Sequence, residues 1–360
     1  MITERHSGVA LPQTVTEYDA LVYSEPVRHG KVIQCDLLLL RQSMEVKVRA
    51  AILCDTVSER YKRLHVGDAI HACSFLEQPD APQRYNRRAS SGALRSPHTF
   101  DYGRWLITHG YRARTFIYYR NWTKIATSLS DLSALTRLQL TARQQQQRIR
   151  ALLTGRSDDD TSLGILLAMT LGDRSLLSHD VKDVFAVTSA SHVLALSGLH
   201  LSILYGVLML LFAPFRRLMA VRLVLIATIW MYAFLVGLPL SVVRAAMMLT
   251  IYSMVLVLNR KAVPLNVLSF SAIVMLIAHP YSLFDIGFQL SYLAVAAILL
   301  FTPLFTNPVR NTFIYRWHVT RWVYSLFAAS IAAQLGTAPL VAYYFGRVSC
   351  LFLLTNSIAI

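Results

Sequence analysis

SHVLALSGLHLSIL, residues 191–204, opens the most apolar part of this 360-residue chain, and it carries two histidines, His192 and His200. Ser197 and Gly198 lie between them. A helix entering lipid has little use for two imidazoles, a hydroxyl and a glycine that weakens helices. On one helix Ser197 and His200 share a face, three residues apart, and His200 stands two turns beyond His192, rotated by about 80°. An ionisable group at mid-bilayer costs ~2.5–3.5 kcal/mol on insertion scales, so such groups face a cavity or each other. The stretch predicts a membrane helix from residue 193, with His200 eight residues inside it. Gly198 allows a close approach by a second helix, or a break.

Composition places this stretch at a boundary. The chain is 54% hydrophobic and 15% charged, where a soluble domain is nearer a quarter charged. Residues 1–160 hold 23 of the 35 Lys and Arg and 16 of the 20 Asp and Glu. A polar first half therefore joins an apolar second half. Both are net basic, which suits an anionic partner, either lipid head groups or nucleic acid. Cys35, Cys54, Cys73 and Cys350 show neither a CxxC pair nor zinc spacing. They read as small buried hydrophobes, with one disulfide as the alternative if the polar half lies outside the cytoplasm.

Apolar runs near 193–214, 221–239, 242–258, 264–279, 287–306 and 322–345 predict six spans of ~20 residues. With six crossings, Arg216, Arg217, Arg222, Arg260, Lys261, Arg310, Arg316 and Arg321 fall on one side. The positive-inside tendency makes that side cytoplasmic and puts the residues before 192 outside. The opening, MITERHSGVA, is polar and resembles no signal peptide. The chain is therefore expected to be a piece of a larger protein.

The polar half reads as α+β. TVTEYDALVYS, KVIQCDLLLLRQ, EVKVRAAILCD and HVGDAIHACSFLEQP have strand lengths and strand patterns. They predict a small antiparallel barrel over 1–80, of which the OB-fold is one example. Residues 81–129 form a basic, aromatic extension. Residues 130–160 form a basic amphipathic helix, capped by Ser130 or Asp131, that lies in the membrane interface or packs on the barrel. Residues 161–360 are the polytopic helical core.

Within the extension, Arg84, Arg87, Arg88, Arg95, Arg104, Arg112, Arg114, Arg120 and Lys124 alternate with Trp105, Tyr118, Tyr119, Trp122 and other aromatics. Cations track a phosphate backbone while aromatic faces stack bases. The same composition fits anionic lipid with an interfacial aromatic belt. Within the core, Arg244, Asp285, Gln289, Ser291 and Gln334 sit in or at the ends of spans. They line a path, or act as glue and interface anchors. Asp285 is the only acid after Asp183 and the natural partner for Arg244. Ser197 and His200 on one turn do not form a nucleophile–base pair, and GxSxG and HExxH are absent. No enzyme activity and no cofactor are expected.

SHVLALSGLHLSIL resembles the signature of the ComEC/Rec2 competence proteins, inner-membrane channels of bacterial DNA uptake. TFDYGRWLITHGYRA (99–113), LGDRSLLS (171–178), PLSVVRAAMM (239–248), RKAVPLNVLSF (260–270), LFDIGFQLSYLAV (283–295) and AAQLGTAPLVAYYFG (332–346) resemble further segments of that family in the same order. The resemblance implies an extracytoplasmic OB-like domain that contacts DNA and a helical core that passes one strand into the cytoplasm. It implies that Asp173, Arg174, His192, Ser197, Gly198, His200, Arg244 and Gln289 line or support a polar path. A pilus-delivered DNA receptor, a cytoplasmic ATP-dependent translocase and further copies of the chain are implied as partners, beside single-stranded DNA and lipid. The family's metallo-β-lactamase-like domain needs a His-x-His-x-Asp-His motif, which these residues lack, so nuclease activity does not transfer.

Overall fold

The computed structural model describes residues 14–41, 44–55, 60–79, 102–126, 132–154, 161–173, 177, 181, 183–185, 196–215, 218–258, 263–309 and 317–345. They fall into two compact units that divide between Gln145 and Gln146. Among the residues singled out above, Arg84, Arg87, Arg88, Arg95, Ser130, Asp131, Arg174, His192, Arg216, Arg217, Arg260, Lys261, Arg310, Arg316 and Cys350 lie outside the described residues, as does the side chain of Arg104.

The first unit is built on one sheet. Its strands are β1 (Thr16–Val22), β2 (Val27–His29), β3 (Val32–Arg41), β4 (Met44–Leu53), β5 (Ala69–Ser74), β6 (Leu76–Glu77), β7 (Tyr111–Ile117) and β8 (Trp122–Ile125). Alternation sets the inner face. Val46, Val48, Ala50 and Ile52 of β4 point inward between Lys47, Arg49 and Ala51, and they meet Ile33, Cys35, Leu37 and Leu39 of β3 in one core. β7 repeats the pattern, with Ala113 and Ile117 inside and Arg112 outside.

The expected antiparallel barrel needs correction. The sheet is mixed and its ladder is an open path, β6-β7-β4-β3-β1-β5-β8, with β2 paired to β3. β4 and β7 run parallel. A parallel pair requires a long crossover. Here that crossover contains β5, β6 and the helix α1 (Tyr102–Thr108), so a count of strands in the first 80 residues could not reveal it. β5 and β6 follow one another across Phe75, the first paired with β1 and the second with β7. A buried hydroxyl chain joins the same strands: Tyr18 Oη to Ser74 Oγ at 2.6 Å and Ser74 Oγ to Thr115 Oγ1 at 2.6 Å.

Cys35, Cys54 and Cys73 are free thiols. Burial, with the charge of Asp36 beside it, pushes the Cys35 thiol up to about 12 from an ordinary value near 9.0. The folded chain thus keeps a proton that the unfolded chain releases above pH 9, and that contribution to stability is lost as pH rises toward 12. Alkylation at pH 8 with peptide mapping should leave Cys35 unmodified until denaturant is added, while the half-exposed Cys54 and Cys73 react. Labelling of Cys35 in the native chain would contradict its burial.

The next helix, α2 (Ala134–Thr154), starts at Ser133, whose Oγ accepts the Thr136 N–H at 3.3 Å. The cap is therefore two or three residues later than Asp131 or Ser130. Of the two environments open to it, its first half takes the sheet. Leu132 and Leu140 pack with Leu21, Tyr23, Leu38, Val66 and Ala69, Arg143 donates to Tyr23 O at 2.6 Å, and Tyr23 Oη donates to Gln139.

The second unit is helical: α3 (Thr161–Leu171), α4 (Gly198–Leu211), α5 (Met219–Leu235), α6 (Leu240–Val257), α7 (Pro264–Ala278), α8 (Ile286–Val309) and α9 (His318–Phe345). Helices stand where the six spans were expected, and among the described residues three are long and apolar enough to cross a membrane: Leu240–Val257, Ile286–Val309 and Thr320–Tyr344. α4, α5 and α7 have 14, 17 and 15 residues. At 1.5 Å per residue they fall short of a hydrocarbon core of ~30 Å. At most 22% of each long apolar window is buried in protein. Apolar surface turned outward on this scale suits lipid, and the unit reads as a membrane domain.

Candidate functional site

The opening stretch shows why its polar residues are there. Ser197 has extended backbone (φ −111°, ψ 166°) and precedes the first residue of α4, Gly198. His200 is the third helical residue. Its Nδ1 accepts the Ser197 N–H at 3.4 Å and lies 3.0 Å from Ser197 Oγ. This is a capping box with histidine in the place of glutamate. α4 thus begins five residues later than expected, and His200 lies in the first turn rather than deep in a span. Free N–H groups at a helix start demand acceptors, and serine and histidine satisfy two of them, those of His200 and of Ser197 itself. α6 holds this start in place: Ser241 Oγ donates to Leu196 O at 2.9 Å, and a Cβ on Gly198 would meet Ala245 Cβ at 3.2 Å. The close approach expected at Gly198 is present.

The structure pairs Arg244 with Asp285, as the sequence suggested. Arg244, near the start of α6, is 7% exposed. Its Nη1 lies 3.4 Å from Asp285 Oδ2, and its Nη2 donates to Ser291 Oγ at 3.1 Å. Ser291 Oγ donates in turn to Gly287 O at 2.6 Å. Asp285 precedes α8 and caps it, its two oxygens accepting the N–H groups of Gly287 and Phe288, each at 3.2 Å. A carboxylate at a helix N-terminus faces the positive end of the helix dipole as well as the guanidinium. One turn along, Gln289 Nε2 donates to Leu283 O at 2.7 Å, and its Oε1 is buried without a partner. Gln334 is half-buried on α9.

Asp173 stands apart from that centre. Gly172, at φ +74°, turns the chain out of α3 through a conformation that suits glycine. Asp173, buried, then meets Arg150 Nε at 3.0 Å, while Gln146 Nε2 donates to Leu171 O at 2.7 Å. A partner 23 positions away leaves no local signal, so this contact was missed.

Among the described residues, the basic and aromatic side chains do not form one surface. Trp122 is 6% exposed and belongs to the sheet core. A ring so enclosed cannot stack on a base. Trp105 stacks on His109, with ring centroids 4.2 Å apart, and lies near Tyr102 and Tyr111. Arg114 pairs with Glu77 at 3.1 Å, and Lys124 with Asp68 at 2.8 Å. Period-2 alternation explains the division, because what reads as interleaved cations and aromatics is a strand with two faces. The turn between β7 and β8 is different. Asn121 N–H donates to Tyr118 O at 2.9 Å, and this turn carries exposed Tyr118, half-exposed Tyr119 and exposed Arg120. The Arg120 guanidinium sits 5.4 Å from the centre of the Tyr119 ring. Arg112 is exposed on β7.

On the outer face of the same sheet lies a charged cluster that the sequence did not announce. Arg49 Nη1 donates to buried Asp36 at 2.7 Å. Lys47 Nζ lies 4.1 Å from the Tyr111 ring centre, and the Arg143 guanidinium 4.1 Å from that of Tyr23. Burial lowers the Lys47 pKa against the pull of Asp36. Burial raises that of Tyr111, and the neighbouring Asp36 adds to the shift. The arrangement is a structural knot with one carboxylate among three cations.

A family model described as competence protein matches residues 169–360. The chain is 27% identical to ComE operon protein 3 of Bacillus subtilis, across 100% of this chain and 42% of that protein. It is 23% identical to Recombination protein 2 of Haemophilus influenzae, across 72% and 32%. An uncharacterized protein of Aquifex aeolicus is 31% identical across 52% of this chain and 41% of its own length. The chain thus spans less than half the length of these relatives. No solved structure matches it. With more than half of its residues under the family model, the chain belongs to the competence protein family.

Proposed function

We propose that this chain is part of the membrane path for DNA uptake in competence, passing one strand toward the cytoplasm, with an OB-like domain that meets the strand outside. One observation carries the reading: the region that matches the competence family is also the region that buries a guanidinium, Arg244, among apolar helices. A cation buried within an apolar helix bundle is a functional site by default, and an anionic polymer is the cargo that such a lining suits. The strand order supports the OB-like part, since β5 and β6 carry the chain from β1 across to β7. The inner membrane as location, and the partners implied by resemblance, belong to the same proposal.

In the first unit, the contact surface is the β7–β8 turn, where Tyr118, Tyr119 and Arg120 meet solvent. The test is binding of fluorescent single-stranded DNA to the full chain in nanodiscs, across a salt series. Affinity should fall steeply with salt. Tyr118→Ala and Tyr119→Ala should each weaken it about tenfold, within the ~1–3 kcal/mol per stacked base that such rings contribute. Trp122→Ala should instead lower the thermal midpoint, as loss of a core ring. Binding no tighter than to an equally charged sugar polymer, and indifferent to the tyrosines, would sink the DNA contact.

A second reading draws on α2, where Leu135, Leu138, Leu152 and Leu153 are exposed beside Arg137 and Arg148. A helix of that kind rests on anionic lipid, as in a transporter of another solute with a basic anchor. Retention of nanodisc DNA binding after the four leucines become serine, with loss of binding to anionic vesicles, would assign the two roles to separate surfaces.

A further inference from the structure

The charged cluster on the outer face of the sheet is not neutral within itself. Around Asp36 stand Lys47, Arg49 and Arg143, three cations against one carboxylate. Asp36 is taken up by Arg49, whose Nη1 donates to it at 2.7 Å, and Arg49 Nη2 donates to Gln34 at 3.2 Å. Arg143 donates to Tyr23 O at 2.6 Å. Lys47 is different. Among the described residues its ammonium meets two ring faces, those of Tyr111 at 4.1 Å and Tyr23 at 5.6 Å, and no hydrogen-bond acceptor. Ring faces attract a cation but leave its three N–H donors without an oxygen. A half-buried ammonium in that state, beside two guanidiniums, has donors and charge left for an anion.

The register of β4 and β7 puts this cation on a face that continues to the β7–β8 turn. Lys47 lies opposite Tyr111 and Arg49 opposite Arg114, with a slip in register between Lys47 and Val48. The slip leaves Arg112 as an extra residue. It brings Tyr111 to the Lys47 side while Ala113 and Ile117 still point into the core. On the outer face β7 then carries Tyr111, Arg114 and Phe116, with Ala51 of β4 opposite Phe116. Tyr118 follows, its ring 5.3 Å from that of Phe116 and edge-on to it. Arg114 is paired with Glu77, so the excess positive charge stays at the Lys47 end and the exposed ring of Tyr118 stands at the other. At ~3.3 Å per residue the two ends are about 20 Å apart.

We propose that the outer face of β4 and β7 is a lane for one DNA strand, with Lys47 on a backbone phosphate at one end and Tyr118 against a base at the other. The assignment rests on the DNA reading above and extends it from the turn to the sheet. A phosphodiester brings one negative charge to a place where cations outnumber acids, so no group has to leave. With phosphates ~3.4 Å or more apart along a strand, the lane holds about six nucleotides or fewer, within the ~4–16 that an OB-type domain takes. A lipid headgroup offers the same phosphate but no flat ring for Phe116 and Tyr118.

The test uses the full chain in nanodiscs and two probes of one sequence, a single-stranded phosphodiester oligonucleotide and its uncharged methylphosphonate counterpart. Lys47→Met keeps the apolar stem and removes the charge. It should weaken binding of the phosphodiester strand about tenfold and lower the salt slope by about 0.7, the share of one phosphate contact on a single strand. Its thermal midpoint should not fall, since no hydrogen bond is lost; a lysine with a structural role alone would lower the midpoint and leave the slope unchanged. The uncharged strand should not respond to Lys47→Met. Adding Tyr118→Ala should add its own loss, as two separate ends of one site do. A folded Lys47→Met chain with wild-type affinity and slope overturns the proposal, and so does a loss confined to anionic vesicles. If Lys47→Met fails to fold, acetylation of the wild-type chain with peptide mapping decides: the charged strand should protect Lys47, and equal labelling with and without it overturns the assignment. Failure of the DNA reading has its own signature, a wild-type chain with no preference for the charged strand. If Lys47 alone is wrongly assigned, that preference survives in full in Lys47→Met.

Discussion

Asp36→Ala should cost the first unit about 3 kcal/mol, the lower end of the ~3–5 kcal/mol seen when one member of a buried ion pair is removed. The lower end applies because the Arg49 side chain is 28% exposed, whereas that of Asp36 is 8% exposed, so water screens part of the loss. The effect is large because Asp36 is the carboxylate at the centre of this cluster, with Lys47, Arg49 and Arg143 around it. Its removal leaves Arg49 with Gln34, to which Nη2 donates at 3.2 Å, and brings three cations together without a counter-charge. Against a typical domain stability of ~5–15 kcal/mol, that is a substantial fraction. Hydrogen exchange of β3 and β4, with the thermal midpoint, measures it. Arg49→Met should recover part of the loss in the double variant, since the orphaned cation goes with it. A loss as large with Arg49→Met as without it would show that the cluster is not held by this pair.

Gly336→Leu should separate α8 from α9. A Cβ at Gly336 already overlaps Ala297 Cβ and lies 3.3 Å from Leu293 O. Two of the obstacles are a short side chain and backbone, neither of which can swing aside. In membranes, helices associate through such close approach at small residues, because lipid supplies no hydrophobic drive between them. Overpacking of this kind costs about 1–3 kcal/mol for an added methyl or two, so alanine should lower the thermal midpoint in detergent and leucine should abolish the folded peak on size exclusion. Ala297→Gly should restore Gly336→Ala, because it removes the atom in collision. If the double variant is no better than the single, the contact lies elsewhere.

How much of this was readable beforehand varied with the range of the interaction. The strands at the start of the chain followed from period-2 alternation, and β1, β3, β4 and β5 stand where it put them. β7 was hidden, because Arg112, Arg114 and Tyr118 made the segment look like a surface of uniform chemistry. Alternation turned half of it inward, and Trp122 with it. The apolar runs were right as helices, and capping sets boundaries that mean hydropathy cannot see: α4 begins after Ser197, five residues beyond the start that hydropathy gave, while Pro264 opens α7 where it was expected.

The partition into a charged half and an apolar half, the close approach at Gly198 and the pairing of the lone late acid with a cation were legible in residue order. Each depends on composition, or on chemistry that permits few partners. Arg150 on Asp173, the parallel β4–β7 pair, the Asp36 cluster and the overlap at Gly336 join residues far apart in the chain. Such contacts depend on where whole elements dock. Docking is settled by the summed fit of many weak contacts, and no single residue along the chain records that sum.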